Sequence, residues 1–352
     1  MGDKKLLFEN DGGYVCLNGD IMETSRYIGE SVDDGWWDAR VAYEVVHAVH
    51  GVPLFFEDHA ARLRASLAKL GEFPESVINS SVTETRLLAH AKTLMLANNL
   101  KDCNIKIWAA VASAQDHIQS SDAETDADLH TPTADVDDDP EARPVNVFIN
   151  INRRYLPLPE YYKDGAPAGL LEYTRTDPNV KRFVAGYKER IREMTDGGGV
   201  YEVLLFDEAG RLTEGSRSNL FFTGGGIIYT APENLILKGI RRKYALEAAR
   251  RAGFEVRETP VTLSDAGLLS IYDEPGLSNF EERQTPADEC RPSADHNQLV
   301  DGAFITGTAV GVLPISKIGD TVFNSAKNPV IRKIMEEYNK LAQDYIHVHI
   351  DE

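Results

Sequence analysis

The sequence has few cysteines, no excess of basic residues and no long apolar run. Its three cysteines, Cys16, Cys103 and Cys290, are widely spaced. They form neither a disulfide framework nor a paired metal site, so a reducing, cytoplasmic location is expected. There are 37 Lys and Arg against 56 Asp and Glu, which gives a formal net charge of −19. This charge argues against a nucleic-acid-binding protein, because such proteins neutralise phosphates with cations.

No membrane segment and no metal site are predicted. The longest stretch without a charged residue, Ser218–Pro232, contains three glycines and a proline and is too short to span a bilayer. His347 and His349 alternate along a strand-like run near the C-terminus. Two histidines without further ligands nearby are more typical of a protein surface than of a metal site.

Most of the negative charge lies in two segments. Residues 113–142 contain ten acidic residues and no Lys or Arg, and residues 273–300 contain seven acidic residues against two arginines. Both segments have few large apolar residues and no period of a strand or a helix. We interpret them as solvated loops inserted into a globular protein, with docking segments for a basic partner as the alternative.

Elsewhere, short strand-like runs alternate with amphipathic helical runs, which predicts an α+β (mixed α/β) fold. The proline-containing segment 152–159 indicates a crossing between an N-terminal α/β domain, residues 1–152, and a C-terminal domain, residues 153–352. Strands are predicted over residues 13–18, 42–49, 104–111, 145–150, 202–206, 218–222 and 303–306. Helices are predicted over residues 57–70, 84–100, 182–194, 241–252 and 330–345.

Five local segments carry residues suited to chemistry. The first opens an amphipathic helix that carries Arg62, and the second places Lys181 just before a helix. The third puts Glu214 in a short polar loop that leads into an apolar strand. The last two are Leu-Lys-Gly239-Ile-Arg, which opens a helix, and Ile-Thr-Gly-Thr308-Ala-Val.

In this order and at this spacing, the segments resemble those of the fold-type IV, pyridoxal-phosphate-dependent enzymes. That family (class IV) contains branched-chain aminotransferases, D-amino-acid aminotransferases and aminodeoxychorismate lyases. The resemblance runs from Tyr14 to Ile318 and is interrupted by the two acidic segments. It implies a small N-terminal α/β domain, a larger C-terminal domain with a barrel-like sheet, bound pyridoxal 5'-phosphate and a homodimer. It also implies small-molecule substrates, an amino acid and a 2-oxo acid.

The resemblance assigns the covalent chemistry to Lys181. Its amine would form a Schiff base with the cofactor and later move the α-proton of the substrate. Glu214, 33 residues further on, would sit against the ring nitrogen and keep it protonated. Tyr187 stands close to where branched-chain enzymes place a tyrosine on the cofactor's phenolic oxygen. Composition alone would favour a surface lysine at a helix start for Lys181, and Glu214 could be a turn acid that caps nearby amides.

The cofactor's phosphate needs hydrogen-bond donors. A helix that opens at Gly239, Ile240 and Arg241 offers backbone N–H groups and the positive end of a dipole. Most members of the family have Thr where this chain has Arg241, so a hydroxyl is replaced by a charge. The resemblance adds Arg62 and Thr308 to the phosphate site. It also implies that Ser216, Ser218 and Asn219 orient the Glu214 carboxylate and shape the pocket.

The substrate is only partly indicated. D-amino-acid enzymes carry an Arg-x-His pair in the loop that corresponds to residues 113–144, and this chain has none. Branched-chain enzymes place an arginine where Lys106 stands, so a branched-chain-like L-amino acid is favoured. A lyase, a D-amino-acid aminotransferase and a non-catalytic relative that serves as a binding protein remain alternatives. The predicted substrate-binding residues are Tyr43, Lys106, Thr308, Ala309 and Val310.

Overall fold

A computed structural model describes most of the chain, and its residues divide into two compact units. The described residues are 10–25, 41–70, 75–111, 145–153, 156–175, 181, 185–197, 199–268 and 299–350. Segment 113–142, and all but the last two residues of 273–300, lie outside them. Unit 1 comprises Met1–Arg153 and Val180–Phe183, and unit 2 comprises Arg154–Asn179 and Val184–Glu352. Lys181 is therefore grouped with unit 1, although the sequence-based boundary assigned it to the C-terminal domain.

Unit 1 contains a six-stranded sheet. Its strands are β1 (Tyr14–Leu17), β2 (Asp20–Glu23), β3 (Val41–Val49), β4 (Val52–Pro53), β5 (Cys103–Val111) and β6 (Val145–Arg153). They lie in the order β2-β1-β6-β5-β3-β4, and every neighbouring pair is antiparallel. Tyr43 lies opposite Trp108, and Val45 lies opposite Lys106. These four side chains share one face of the sheet, because alternate residues of a strand point the same way.

Three helices cover the other face of this sheet. They are α1 (Phe56–Leu70), α2 (Glu75–Ser81) and α3 (Glu84–Ala97). Helix α1 buries Leu63 and Leu67, and α3 buries Leu87 and Leu94, in one apolar core with the inward strand residues. The spacing of three to four residues places these side chains on one stripe of each helix. Thr83 ends the preceding loop, and its hydroxyl accepts a hydrogen bond from the N–H of Arg86, which defines the start of α3.

Unit 2 is built on a nine-stranded sheet that closes on itself. Its strands are β7 (Ala166–Glu172), β8 (Glu202–Phe206), β9 (Leu212–Gly215), β10 (Asn219–Gly224), β11 (Ile227–Thr230), β12 (Val256–Arg257), β13 (Gly302–Gly307), β14 (Gly311–Ile318) and β15 (Thr321–Val322). They follow the order β12-β11-β10-β13-β14-β7-β8-β9, and β15 pairs with β14. The additional pairing of β9 with β10, at Glu214 and Asn219, closes six strands into a barrel. The predicted α+β class and barrel-like sheet are confirmed.

Apolar side chains fill the barrel and the layers around it. The helices are α4 (Pro159–Asp164), α5 (Ala185–Gly197), α6 (Ile240–Arg251) and α7 (Pro329–His349), and a 3₁₀ turn spans Ser325–Lys327. Leu220 and Phe222 belong to one core, whereas Phe221 between them packs with α6 and α7 in another. Leu205 of β8 lies in a third cluster with Ile191 of α5. This alternation follows from the two faces of a strand.

The predicted terminal strand at His347 and His349 is wrong, because both residues belong to α7. The buried apolar stripe from Ile331 to Leu341 anchors this helix. The helix then continues to His349 and so includes the alternating residues that suggested a strand. Within the described residues, no helix is both long and apolar enough to cross a membrane.

Candidate active site

A buried carboxylate that the sequence analysis missed holds Arg62 in unit 1. Glu44 of β3 faces α1, and its Oε1 and Oε2 each accept a hydrogen bond of 2.7 Å from the Arg62 guanidinium. His59 Nδ1 lies 2.8 Å from the same Oε2. Burial alone would raise the pKa of Glu44, but Arg62, His59 and the Lys181 ammonium together hold it well below its usual range. The signal in the sequence was a single carboxylate, Glu44, in a strand that is apolar except for His47.

Lys181 lies beside the aromatic pair of the same sheet. Its Nζ is 5.2 Å from the centre of the Tyr43 ring, and its carbonyl accepts a hydrogen bond of 3.3 Å from the Tyr43 N–H. Tyr43 stacks on Trp108 with 5.2 Å between the ring centres. The Trp108 Nε1 donates to Asn150 Oδ1 at 2.8 Å, which fixes the orientation of the indole. The lysine is therefore next to a rigid aromatic surface.

Lys106 belongs to that same face of the sheet. It precedes Trp108 by two residues, on the same face of β5, and lies in register with Val45 and Asn150. The structure thus brings two of the predicted substrate residues, Tyr43 and Lys106, to one surface of unit 1.

In unit 2, Glu214 is held by an arginine and by a backbone N–H. Arg175 Nε lies 2.5 Å from Glu214 Oε1, and the Leu237 N–H donates to Oε2 at 3.2 Å. Asn219, which pairs with Glu214 in the barrel, donates through Nδ2 to the Leu237 carbonyl at 2.9 Å. Both polar groups of Leu237 are therefore fastened to this corner of the barrel.

The serines of the polar loop bind a different carboxylate from the one predicted. Ser216 Oγ donates to Glu202 Oε1 at 2.5 Å, and Ser218 Oγ donates to Glu202 Oε2 at 2.8 Å. The expectation that they orient Glu214 is therefore wrong for these hydroxyls. A Cβ on Gly215 would lie 2.1 Å from Ser218 Oγ, so the loop needs glycine there to fold around Glu202. Glu202 had no signal of its own in the sequence.

Tyr187 of α5 lies near Glu214 and near the loop that contains Ser216 and Ser218, here called the serine loop. Its hydroxyl donates to the Ser216 carbonyl at 3.4 Å, and its ring centre is 4.4 Å from that of Tyr173. Burial raises the pKa of the Tyr187 phenol, with the carboxylate of Glu214 adding to the shift and the Arg175 guanidinium opposing it. The hydroxyl therefore stays protonated and remains a donor at neutral pH.

The start of α6 is a cradle that could hold a small anion. Gly239 is the N-cap, and no side chain of the described residues caps its N–H groups. A Cβ at Gly239 would lie 1.8 Å from Asn219 Oδ1, so only glycine allows this approach. Ile240 and Arg241 are buried. The Arg241 side chain hydrogen-bonds Tyr338 of α7, so this guanidinium serves the helix–helix interface.

The turn Gly307–Val310 joins β13 to β14 and is supported from two sides. The Val310 N–H donates to the Gly307 carbonyl at 3.2 Å, and the Tyr162 hydroxyl of α4 donates to the Val310 carbonyl at 2.9 Å. Thr308 and Ala309 are half-buried at its tip. The turn therefore offers the Thr308 hydroxyl and backbone groups in a fixed conformation.

Next to Glu214, unit 2 contains a cavity of about 220 Å³. The Glu214–Arg175 pair and a second ion pair, Asp207–Arg211 at 2.6 Å, line it. The other lining residues are Tyr173, Thr174, Leu205, Thr213, Asn234 and Leu235.

The fold is similar to that of solved aminotransferase structures. The solved structure of the branched-chain amino acid aminotransferase from Thermobaculum terrenum, in its PLP-bound holo-form, superposes with a TM-score of 0.66 at 20% identity, covering 97% of this chain and 97% of that one. The family described as Amino-transferase class IV matches residues 41–318. The chain therefore belongs to the class IV aminotransferases, which are pyridoxal-phosphate-dependent enzymes.

Two curated relatives match almost the entire chain. The D-alanine aminotransferase of Bacillus licheniformis is 24% identical over 323 residues, 91% of this chain and 94% of the relative. The putative branched-chain-amino-acid aminotransferase of Methanocaldococcus jannaschii is 24% identical over 337 residues, 93% of this chain and 96% of the relative. The relatives thus include both a D-amino-acid type and a branched-chain type.

The described residues of unit 2 fit pyridoxal phosphate in their chemistry. Glu214 is a buried carboxylate suited to a protonated ring nitrogen. The Gly239 cradle, which a Cβ would fill, presents the N–H groups of a helix to a phosphate.

Proposed function

We propose that the protein is a pyridoxal-phosphate-dependent transaminase that moves an amino group between a branched-chain-like L-amino acid and a 2-oxo acid, with Lys181 as the residue that bonds the cofactor. The observation that carries this proposal is the link between Glu214 and the start of α6. Glu214 and Asn219 both bind the peptide groups of Leu237, and Gly239 opens the helix two residues later. A carboxylate and an anion cradle are thereby fixed to each other, as a cofactor with a ring nitrogen and a phosphate requires.

When bound, pyridoxal phosphate supplies an electron sink for the bonds of the substrate's α-carbon. Lys181 is the residue that would hold the cofactor through Nζ, and its freed amine would carry the α-proton of the substrate. Glu214 would hold the proton of the ring nitrogen, and the Tyr187 hydroxyl would donate to the cofactor's phenolic oxygen. Asn219 and Ser218 maintain this corner of the pocket through Leu237 and Glu202.

The N–H groups of Ile240 and Arg241, which follow the N-cap Gly239, would hold the phosphate. Thr308 adds a hydroxyl and Arg62 a charge. The two hydrogen bonds from Arg62 to Glu44 fix the orientation of the guanidinium. Arg62 would therefore be in place before the phosphate binds.

For substrate binding, the turn Thr308–Val310 would present the Thr308 hydroxyl and the N–H groups at its tip to the α-carboxylate, while the Val310 N–H keeps its bond to the Gly307 carbonyl. Tyr43 forms an aromatic wall for an apolar side chain, and Lys106 pairs with the second carboxylate of glutamate. We place this activity in a cytoplasmic homodimer.

The cofactor site is tested by borohydride reduction of the protein reconstituted with pyridoxal phosphate. A near-visible absorption band and a pyridoxyl-lysine peptide at Lys181 are expected, and Lys181→Ala should fold but lose both. Labelling at Lys188 or Lys238 would overturn the assignment.

The substrate is tested by the bleaching of that band with single amino acids. L-Leu, L-Val or L-Ile and L-Glu are expected to react, whereas D-Ala and D-Glu are not. A D-amino-acid aminotransferase is the second candidate, because the relatives include the D-alanine enzyme of Bacillus licheniformis. Bleaching by D-Ala alone would favour that candidate. Pyruvate release from aminodeoxychorismate without loss of the band would indicate a lyase.

A further inference from the structure

The contact between Arg175 and Glu214 has no part in the mechanism above. Arg175 follows β7, and its Nε lies 2.5 Å from Glu214 Oε1. The Glu214 side chain is 4% exposed and that of Arg175 is 20% exposed. A charged hydrogen bond in so little solvent is stronger and more directional than one at the surface.

The guanidinium of Arg175 is itself held in place. Its central carbon lies 5.9 Å from the centre of the Tyr187 ring, and Tyr187 packs against Tyr173, two residues before Arg175. Arg175 therefore reaches Glu214 from a fixed direction, while the Leu237 N–H holds the other carboxylate oxygen.

We propose that Arg175 is a positioning residue for the transamination. It holds the Glu214 carboxylate ionised and in one orientation, and its positive charge limits how tightly Glu214 and the ring nitrogen together hold their shared proton. This inference rests on the proposed function, in which Glu214 faces that nitrogen.

Among the described residues of unit 2, the other ionisable groups that face this cluster are compensated or neutral. Asp207 and Arg211 form their own ion pair across the cavity, and Glu202 accepts hydrogen bonds from the serine loop. Burial keeps the phenol of Tyr187 protonated, and Tyr173 contributes its ring to the same cluster. Among these residues, Arg175 is the cation that contacts Glu214, so its replacement by a neutral residue removes that positive charge.

The first experiment measures coupling in the protein without cofactor. Arg175→Met should lower the melting temperature by about 5 °C, because it leaves a buried carboxylate without its cation. In a Glu214→Gln background, the same substitution should lower the melting temperature by much less. Equal losses in both backgrounds would show that Arg175 does not act through Glu214.

The second experiment measures the bound cofactor and is insensitive to a merely structural role. In the reconstituted Arg175→Met protein, the pH midpoint of the near-visible band should rise by about 0.5 to 1 unit, because removal of a nearby cation makes proton binding more favourable. Arg175→Lys keeps the charge and should stay near the wild-type midpoint. Arg211→Met, on the same cavity but paired with Asp207, is the matched control and should leave the midpoint unchanged.

These outcomes separate the two proposals. If the wild-type protein forms the band and Arg175→Met titrates as the wild type does, the inference about Arg175 fails and the proposed function stands. If the wild type binds pyridoxal phosphate without a lysine linkage, the proposed function fails. Should Arg175→Met not fold, Arg175→Gln removes the same charge with a polar side chain, and a wild-type midpoint in that variant would also overturn the inference.

Discussion

The guanidinium of Arg62 forms a two-point ion pair with the fully buried carboxylate of Glu44, with both N···O distances at 2.7 Å. Because His59 contacts the same carboxylate, the pair connects strand β3 to helix α1 and orients an arginine proposed to bind phosphate. A buried pair of this kind is sensitive to loss of one partner, since the remaining charge is then left without compensation.

Glu44→Gln should lower the free energy of unfolding by about 2–4 kcal/mol. In the folded protein the pKa of Glu44 is held well below the ordinary 4.5. The ion pair therefore contributes stability above the unfolded-state pKa and loses it as the pH falls towards the folded-state value. The Gln variant should lack this part of the acid sensitivity. Urea denaturation at pH 7 and pH 4 measures both effects, and parallel curves for the two proteins would contradict the prediction.

Gly239→Ala should raise the dissociation constant for pyridoxal phosphate about tenfold or more. A tenfold change corresponds to about 1.4 kcal/mol of binding free energy. The added Cβ would lie 1.8 Å from Asn219 Oδ1, so Asn219 must move away from Leu237. Gly13→Ala is the control, because nothing lies within 4 Å of a Cβ there. Fluorescence titration with the cofactor gives the dissociation constants. Equal affinity of both variants would show that the cradle does not hold the phosphate.

Glu202→Gln should lower the free energy of unfolding by about 1–3 kcal/mol. The carboxylate accepts from the hydroxyls of Ser216 and Ser218 on its two oxygens, and an amide nitrogen cannot accept from either. Glu193→Gln, at an exposed position of α5, should change stability by less than about 0.5 kcal/mol. Chemical denaturation of the wild type and the two variants measures these free energies. If the two variants were equally stable, Glu202 would not have the role given to it here.

Lys106→Ala should impair the reaction with L-Glu more than the reaction with L-Leu, because only glutamate presents a second carboxylate. We expect the KM for L-Glu to rise about tenfold or more with that for L-Leu little changed, and Lys106→Arg to restore most of the loss. Half-reaction rates at several concentrations of each donor provide the comparison. An equal effect on both donors would place Lys106 in the structure of the sheet rather than in substrate recognition.

The strand and helix patterns predicted much of the secondary structure, but three strands of the barrel, β7, β9 and β14, were missed, and Glu214 lies in β9 rather than in a loop. β7 contains Pro167 and Gly169, and β14 contains Pro314. Proline and glycine argue against a strand when only local sequence is considered. In the barrel both strands are paired on two sides, and the neighbouring strands override the local preference.

By itself, the sequence determined the class of fold, the order of the motifs and the candidate lysine, carboxylate and helix start. These features depend on residues that are close along the chain, such as the apolar stripe of α1 or the glycine that opens α6. Only the tertiary structure decided which side chains hold them: Glu44 on Arg62, Glu202 on the serine loop and Arg175 on Glu214. Each partner lies at least 14 residues away in the sequence. A buried charge requires a partner of opposite sign or a set of hydrogen-bond donors. Strand pairing and helix packing determine which residue becomes that partner, and no local sequence pattern encodes them.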